Sequence, residues 1–226
     1  MNHKILRILK EKDVADVGIG AMIVFIAMVL VAGVAASVLI QTAGKLETQA
    51  MSSGQQTIAE VSSGIAVIDV VGKTGTSDLK YLAITVRARA GAPDIDINQT
   101  RIVISDGTKK TVLLYDGWVD PQHYNATVNS SNAQLFDTGN WDSLTFEKFG
   151  IIVLQDQDGS CQRATPVINK GDKVVLTLLC SASGCFGREI PTRTQVYGRV
   201  IPEIGSPGVI AFTTPAAYND VVYDLQ

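Results

Sequence analysis

The feature that most constrains this chain is an uncharged run, VGIGAMIVFIAMVLVAGVAASVLI, at residues 17–40. As a helix these 24 residues extend about 36 Å, whereas the hydrocarbon core of a bilayer is about 30 Å thick. The run therefore predicts a membrane-spanning helix, and it exceeds the roughly 7–15 apolar residues of a secretory signal. A removable signal stays open as an alternative, because Val34-Ala35-Ala36 would satisfy a small-residue cleavage rule.

The charges around this run differ on its two sides. Residues 1–15 carry four basic and two acidic side chains, and a net charge of +2 before an apolar segment is retained on the cytoplasmic side. The remaining chain has 15 basic and 20 acidic residues, a net charge of −5, and no further basic block. This balance predicts an acidic, soluble exterior and no nucleic-acid partner.

The helical pattern continues beyond the apolar run to about Val61, without proline. Small residues recur there every seven positions, at Ala36, Ala43, Ala50, Thr57 and Gly64. One interpretation is that Ala and Gly are simply common in membrane helices. The other is that this stripe packs against further copies of the same helix, because close packing selects partners between apolar helices.

From about Ala66 the hydrophobic period changes to two. Seven β-branched runs are separated by turn sequences such as DGTKK, DQDGS and GSPG. The predicted fold is therefore of the α+β class, a long N-terminal hydrophobic helix followed by an immunoglobulin-like antiparallel β-sandwich. The corresponding boundaries are a leader at 1–15, the helix at 16–64 and the β-domain at 65–226.

Residues for catalysis or cofactor binding are sparse. The chain has two histidines, His3 and His123, and it lacks a GxxxxGK[ST] phosphate loop. We therefore predict no catalytic residues, no cofactor and no enzymatic activity. Asp156 and Asp158 resemble the start of a calcium loop, but twelve residues from Asp156 end at a valine rather than a bidentate glutamate, so a plain turn is the favoured interpretation.

Two kinds of covalent modification are suggested by short motifs. Cys180 and Cys185 flank the four residues SASG, and as the ends of a hairpin they would lie within disulfide reach, leaving Cys161 free or intermolecular. Three buried thiols remain the alternative. Asn98, Asn125 and Asn129 each begin an N-x-S/T sequon, and we expect at least one to be glycosylated if the domain is exported.

The N-terminal sequence GIGAMIVFIAMVLVAGVAASVLIQTAGKLETQA resembles the archaellins, the filament subunits of the archaeal flagellum, in the type IV pilin-like superfamily. A second stretch, from FGREIPTRTQV through GRVIPEIGSPGVIAFTTPAAYNDVV, is similar to the C-terminal region of that family. Together the two stretches cover about a third of the chain and both of its ends.

This resemblance implies cleavage by a membrane prepilin peptidase between Ala15 and Asp16, although many family members have glycine where Ala15 stands. It also implies self-assembly into a filament by a cytoplasmic ATPase and a membrane platform, with an oligosaccharyltransferase as a further partner. The expected localisation is an extracellular filament for swimming motility, reached from a cytoplasmic-membrane precursor.

Two alternatives to a filament subunit of the archaellum remain at this point. An archaeal adhesion pilin would share the leader and the helix, though not the C-terminal stretch. A β-sandwich domain anchored in the membrane would never polymerise. Bacterial type IV pilins are disfavoured, because they usually carry glutamate at the fifth mature position, where this chain has Gly20.

Overall fold

The computed structural model describes residues 2–115, 124–125, 135–137, 141, 144 and 147–226. Side chains are described from Val17 onward, except at residues 124, 125 and 137. The chain divides into two compact units, one ending at Gln55 and the other spanning Gln56–Gln226. The predicted domain boundary at residues 64 and 65 stays a prediction.

The N-terminal element is one continuous helix, α1, from Asn2 to Ser62. No proline interrupts this segment, and its Ala, Leu, Met and Gln content favours a helix. The helix ends where Gly64 adopts a φ of +135°, a conformation that L side chains rarely take. The predicted end near Val61 is therefore confirmed, and the part from Val17 to Ser62 is long and apolar enough to cross a membrane.

Twelve strands follow in the described part of the chain. They are β1 (Ile65–Thr74), β2 (Leu79–Ala88), β3 (Ile95–Asp96), β4 (Arg101–Ser105), β5 (Lys110–Tyr115), β6 (Tyr124–Asn125), β7 (Lys148–Gln155), β8 (Val167–Ile168), β9 (Lys173–Leu179), β10 (Gln195–Ile201), β11 (Gly208–Thr213) and β12 (Val222–Asp224).

The main sheet consists of two antiparallel halves. The first half has the strand order β12-β1-β2-β9-β7, and the second has the order β11-β10-β4-β5. The halves are joined where β5 runs parallel to β7, through the pairs Leu114↔Lys148 and Tyr115↔Phe149. A long helix followed by a curled, largely antiparallel sheet confirms the predicted fold class.

Both halves of the sheet share one hydrophobic core. Strands β5 and β11 alternate strictly between buried and exposed residues, as expected for strands with one face in the core. Strand β9 is buried on both faces over most of its length, because Trp141 packs against Val175 on its outer side. The sheet therefore carries a small second cluster outside the main core.

Residue Gln226 links the two ends of the curled sheet. Its backbone carbonyl accepts a hydrogen bond from the Val70 N–H of β1 at 3.1 Å. Its side-chain amide accepts from the Ala211 N–H of β11 at 2.8 Å and donates to the Val209 carbonyl at 3.3 Å. One residue thus bonds to the edge strand β11 and to β1, which lies beside the opposite edge strand β12, and it satisfies backbone groups of both strands.

A close backbone crossing joins the end of α1 to the loop before β11. The Ser206 N–H donates to the Ser63 carbonyl at 2.9 Å, and the Ile65 N–H donates to the Ser206 carbonyl at 3.2 Å. Gly205 makes this approach possible: a Cβ at Gly205 would lie 2.5–2.6 Å from backbone atoms of Ser63, and its φ is +95°.

We predict that Gly205→Ala lowers the free energy of unfolding by about 2–4 kcal/mol, because positive φ and backbone overlap both oppose a Cβ. Gly107→Ala is the matched control. Gly107 has a φ of +80° with no atom within 4 Å of an added Cβ, so about 1–2 kcal/mol is expected. Denaturant unfolding of the full chain in detergent, followed by tryptophan fluorescence, measures both. Equal losses would show that the crossing is not sterically tight.

Candidate functional site

The most extensive candidate surface is α1 itself. Every large apolar side chain between Val17 and Val61 is 53–75% exposed. These residues lie all around the helix rather than along one stripe. A helix that is apolar on all faces is stable inside a membrane or among other helices, and not in water. The exposed helix therefore needs a surrounding that a single chain does not supply.

The predicted small-residue stripe lies on this surface. Ala36, Ala43, Ala50 and Thr57 are all exposed on α1. Gly64 does not extend the stripe, because it follows the helix end and is buried against Ser206. The role of Ala36, Ala43 and Ala50 in helix packing stays a prediction.

Polar groups on α1 are largely satisfied within the helix. The hydroxyls of Thr42, Thr48 and Ser62 donate to backbone carbonyls three or four residues earlier, at 2.7–3.2 Å. Such hydroxyls enter apolar surroundings without an unsatisfied donor. Between Val17 and Ser62 the charged residues are Lys45, Glu47 and Glu60, all of them after the uncharged run.

The expected cleavage site also lies on α1. Ala15 and Asp16 are both helical in their backbone. Their side chains lie outside the described part of the structure, so the position of the cleaved bond stays a prediction.

An acidic cluster forms where the predicted calcium-like turn lies. Asp172 joins Asp156 and Asp158, with one carboxylate oxygen of each within 4.8 Å of the others. Every carboxylate oxygen of the three accepts a hydrogen bond, mostly from the turn backbone, such as Gly159 N–H to Asp156 at 2.8 Å. A plain turn accounts for these contacts, although three carboxylates at this spacing also suit a hard cation.

The cysteines separate into a pair and a single residue. Sγ of Cys180 and Sγ of Cys185 lie 2.9 Å apart, both fully buried. Cys161 is buried in the loop of the acidic cluster. Burial, followed by the charges of Asp156 and Asp172, raises the pKa of Cys161 to about 12. A thiol in this environment stays protonated and unreactive at neutral pH.

The sequons differ in how much of them is described. Asn98 is exposed in a short 3-10 helix, Ile97–Gln99, whereas the Thr100 hydroxyl is buried and donates to the Asp96 carbonyl at 3.1 Å. Asn125 belongs to β6 by its backbone, and its side chain is not described. Asn129 lies outside the described residues. Glycosylation at these positions stays a prediction.

No pattern in the sequence predicted the ion pair between Arg188 and Asp106. Arg188 Nη2 lies 2.7 Å from Asp106 Oδ2, and the Asp106 side chain is only 2% exposed. Burial raises the pKa of Asp106, but the Lys109 N–H, the Arg188 guanidinium and the Thr108 N–H together lower it below its ordinary value. Asp106 begins the turn DGTKK, so the turn was recognisable, but its long-range partner was not.

We predict that Arg188→Gln lowers the free energy of unfolding by about 1–2 kcal/mol at pH 7. This loss is smaller than for a fully buried pair, because Arg188 is half exposed. A lowered pKa stabilises the fold above the unfolded pKa of Asp106, and this stabilisation is lost as the pH falls through the folded value. The difference between wild type and variant should therefore shrink below about pH 4.

Denaturant unfolding between pH 3 and pH 7 measures this difference, with Arg199→Gln as the control. Arg199 is an exposed cation on β10, and its replacement should change stability little at any of these pH values. A loss for Arg188→Gln that stays constant across the pH range would contradict the assignment to Asp106.

The profile of the family described as archaeal-type flagellin matches residues 15–212. Flagellin B2 of Methanocaldococcus jannaschii is 48% identical, over 95% of this chain and 95% of the relative. Flagellin B3 of Thermococcus kodakarensis is 39% identical, over 98% of this chain and 100% of the relative.

Two solved structures are similar to this one. The crystal structure of the archaeal flagellin FlaB1 from Methanocaldococcus jannaschii matches with a TM-score of 0.61 and 32% identity, over 73% of this chain and 97% of that chain. A structure of the archaeal flagellum of Methanospirillum hungatei matches with a TM-score of 0.57, over 92% of this chain and 98% of that chain. At 14% identity, the second match concerns the fold alone.

Proposed function

Because the chain belongs to the archaeal-type flagellin family, we propose that it is a structural subunit of the archaeal flagellar filament. It polymerises through α1 and serves swimming motility. The observation that carries this proposal is the exposure of α1, whose large apolar side chains are all more than half exposed from Val17 to Val61. The role is mechanical, and the names of the relatives are those of filament proteins rather than enzymes.

The apolar surface of α1 determines where the chain resides before assembly. Burial of some twenty large apolar side chains is worth on the order of tens of kcal/mol relative to water. Transfer from lipid into a bundle of similar helices retains most of that burial, so the transfer is close to neutral in free energy. A membrane precursor and a filament core are thus two surroundings that suit the same helix.

Removal of the leader makes this transfer feasible. The segment 1–15 carries a net charge of +2, and that charge anchors the helix end on the cytoplasmic side. Cleavage between Ala15 and Asp16 by a prepilin peptidase removes the anchor and leaves the uncharged run intact. An assembly ATPase and a membrane platform then act on a helix that no longer carries a charge block at its end.

The finished filament places the β-domain outside the cell. There Asn98 and the other sequons are available to an oligosaccharyltransferase during export. The subunit's principal partner is another archaellin, either a second copy of this chain or a related subunit.

Intact mass of the chain recovered from sheared filaments tests the processing step. We expect the polypeptide to begin at Asp16, with any remaining excess mass accounted for by glycans. A chain that begins at Met1, or at Ser37 after removal of the whole apolar run, would contradict the proposal. Recovery in the membrane fraction alone would favour a membrane-anchored domain that does not polymerise.

Substitution on the helix tests the assembly surface. Ala43→Glu should abolish filaments while the β-domain stays folded, because it places a carboxylate without a partner between closely packed helices. Lys45→Glu is the matched control, since that position already carries a charge and lies about 200° around the helix from Ala43. Electron microscopy of sheared material measures filaments, and tryptophan fluorescence reports on the fold.

Two outcomes would count against this assignment. Normal filaments from the Ala43→Glu variant would contradict the proposal that the small-residue stripe packs against neighbouring helices. Filaments that support adhesion but not swimming, in a strain that carries this subunit alone, would favour an adhesion pilin.

A further inference from the structure

A strap at one end of the β-domain connects the two halves of the sheet. The strap comprises residues 180–190, between β9 and β10. Its ends are held by the first half of the sheet: the Cys180 N–H donates to the Lys80 carbonyl at 2.7 Å. Ile190 exchanges two backbone hydrogen bonds with Leu79, at 3.0 and 3.1 Å. Both ends of the strap are therefore fixed to β2.

The middle of the strap reaches the second half of the sheet. The Thr111 hydroxyl of β5 donates to the Cys185 carbonyl at 2.6 Å, in a fully buried contact. Arg188 pairs with Asp106, which follows β4, at 2.7 Å. The strap thus adds polar contacts between the two halves to the pairing of β5 with β7.

A tight turn inside the strap brings two thiols together. The Gly184 N–H donates to the Ser181 carbonyl at 2.9 Å, and the Cys185 N–H donates to the Leu179 carbonyl at 2.7 Å. At Gly184 a Cβ would lie 2.1 Å from the Leu179 carbonyl oxygen, so the turn closes only with glycine there. Cys180 and Cys185 lie at the two ends of this turn, with Sγ atoms 2.9 Å apart and at most 1% exposure.

We propose that Cys180 and Cys185 form a disulfide bond in the exported protein, and that this bond locks the strap between the two halves of the β-domain. The two S–H bonds break and one S–S bond forms, with release of two protons and two electrons. The electrons reduce the disulfide of a thiol–disulfide oxidoreductase, which becomes a dithiol. Cys161 is only 3% exposed, so its sulfur is shielded from other chains and stays a thiol.

The surroundings of the pair indicate when the bond forms. Exchange requires a thiolate, and the hydrogen bond that the protonated Cys180 thiol makes with Cys185, together with burial, raises the pKa of Cys180 well above its ordinary value. In the folded domain both sulfurs are also shielded from an enzyme. Oxidation therefore precedes closure of the strap, during export, and the folded domain then protects the bond from reductants.

The placement outside the cell rests on the proposed function, since oxidising conditions favour disulfides there. Different measurements contradict the proposed filament role and the proposed disulfide. A chain that is not processed or exported has the wrong intact mass. A correctly processed chain with two free thiols at Cys180 and Cys185 would overturn the disulfide alone.

Peptide mapping of the full chain from sheared filaments tests the bond directly. The sample is alkylated with N-ethylmaleimide under denaturing conditions without reductant, and then digested with trypsin. Lys173 and Arg188 bound one peptide that contains both cysteines. We expect this peptide to be unalkylated and lighter than its dithiol form by two hydrogen atoms, with Cys161 alkylated. Alkylation of Cys180 and Cys185, or a link to Cys161, would overturn the proposal.

Thermal unfolding with and without reductant tests the lock. Without reductant the wild type should melt about 4–8 °C higher than after reduction under unfolding conditions, because the bond restricts the unfolded chain. The variant with both Cys180→Ser and Cys185→Ser should show no response to reductant, whereas Cys161→Ser should respond as the wild type does. If reductant lowered the melting temperature equally in all three proteins, the Cys180–Cys185 pair would not be the cause of that change.

Discussion

The constraint on which the rest of the structure depends is that the uncharged run of α1, residues 17–40, is apolar on every side. A core helix of a soluble protein has one face for its own domain and another for water. Here the side chains from Val17 to Ile40 have no such division, so packing against a single face of another element does not bury them. The β-domain accordingly has a complete core of its own and does not depend on α1 for it. This independence lets the helix change its surroundings without unfolding the domain.

The C-terminal stretch holds the β-domain together at several points, and this explains why a resemblance at the two ends of the chain is informative about the fold. Ser206 fixes the end of α1 through two backbone hydrogen bonds, and Gly205 provides the room for them. Arg188 pairs with a buried carboxylate, and Gln226 links β1 to β11. Each contact joins residues far apart in sequence, so each one restricts the topology.

Much of this architecture follows from sequence pattern, and the exceptions have physical causes. All seven runs of alternating or buried β-branched residues became strands, because their period matches the pleat. Strands β3, β6, β8 and β12 were not predicted, since two or three residues are too few to show a period. β1 was not among the seven predicted runs, because its first residues directly follow the helical segment and show no turn sequence between the two. The parallel β5–β7 pair, the Arg188 partner of Asp106 and the approach of Asp172 to Asp156 depend on tertiary contacts that no local pattern encodes.

The position of charge along α1 sets how deeply the helix sits in each of its surroundings. The uncharged run ends at Ile40, and the first charge after it is Lys45. The 46 helical residues from Val17 to Ser62 extend about 69 Å, so roughly half of the helix lies beyond a bilayer that holds the uncharged run. In any apolar surrounding the same boundary separates the uncharged run from a segment where Lys45, Glu47 and Glu60 need water or polar partners. The hydroxyls of Thr48 and Ser62 already bond within the helix, so the charges limit the apolar segment more than these hydroxyls do.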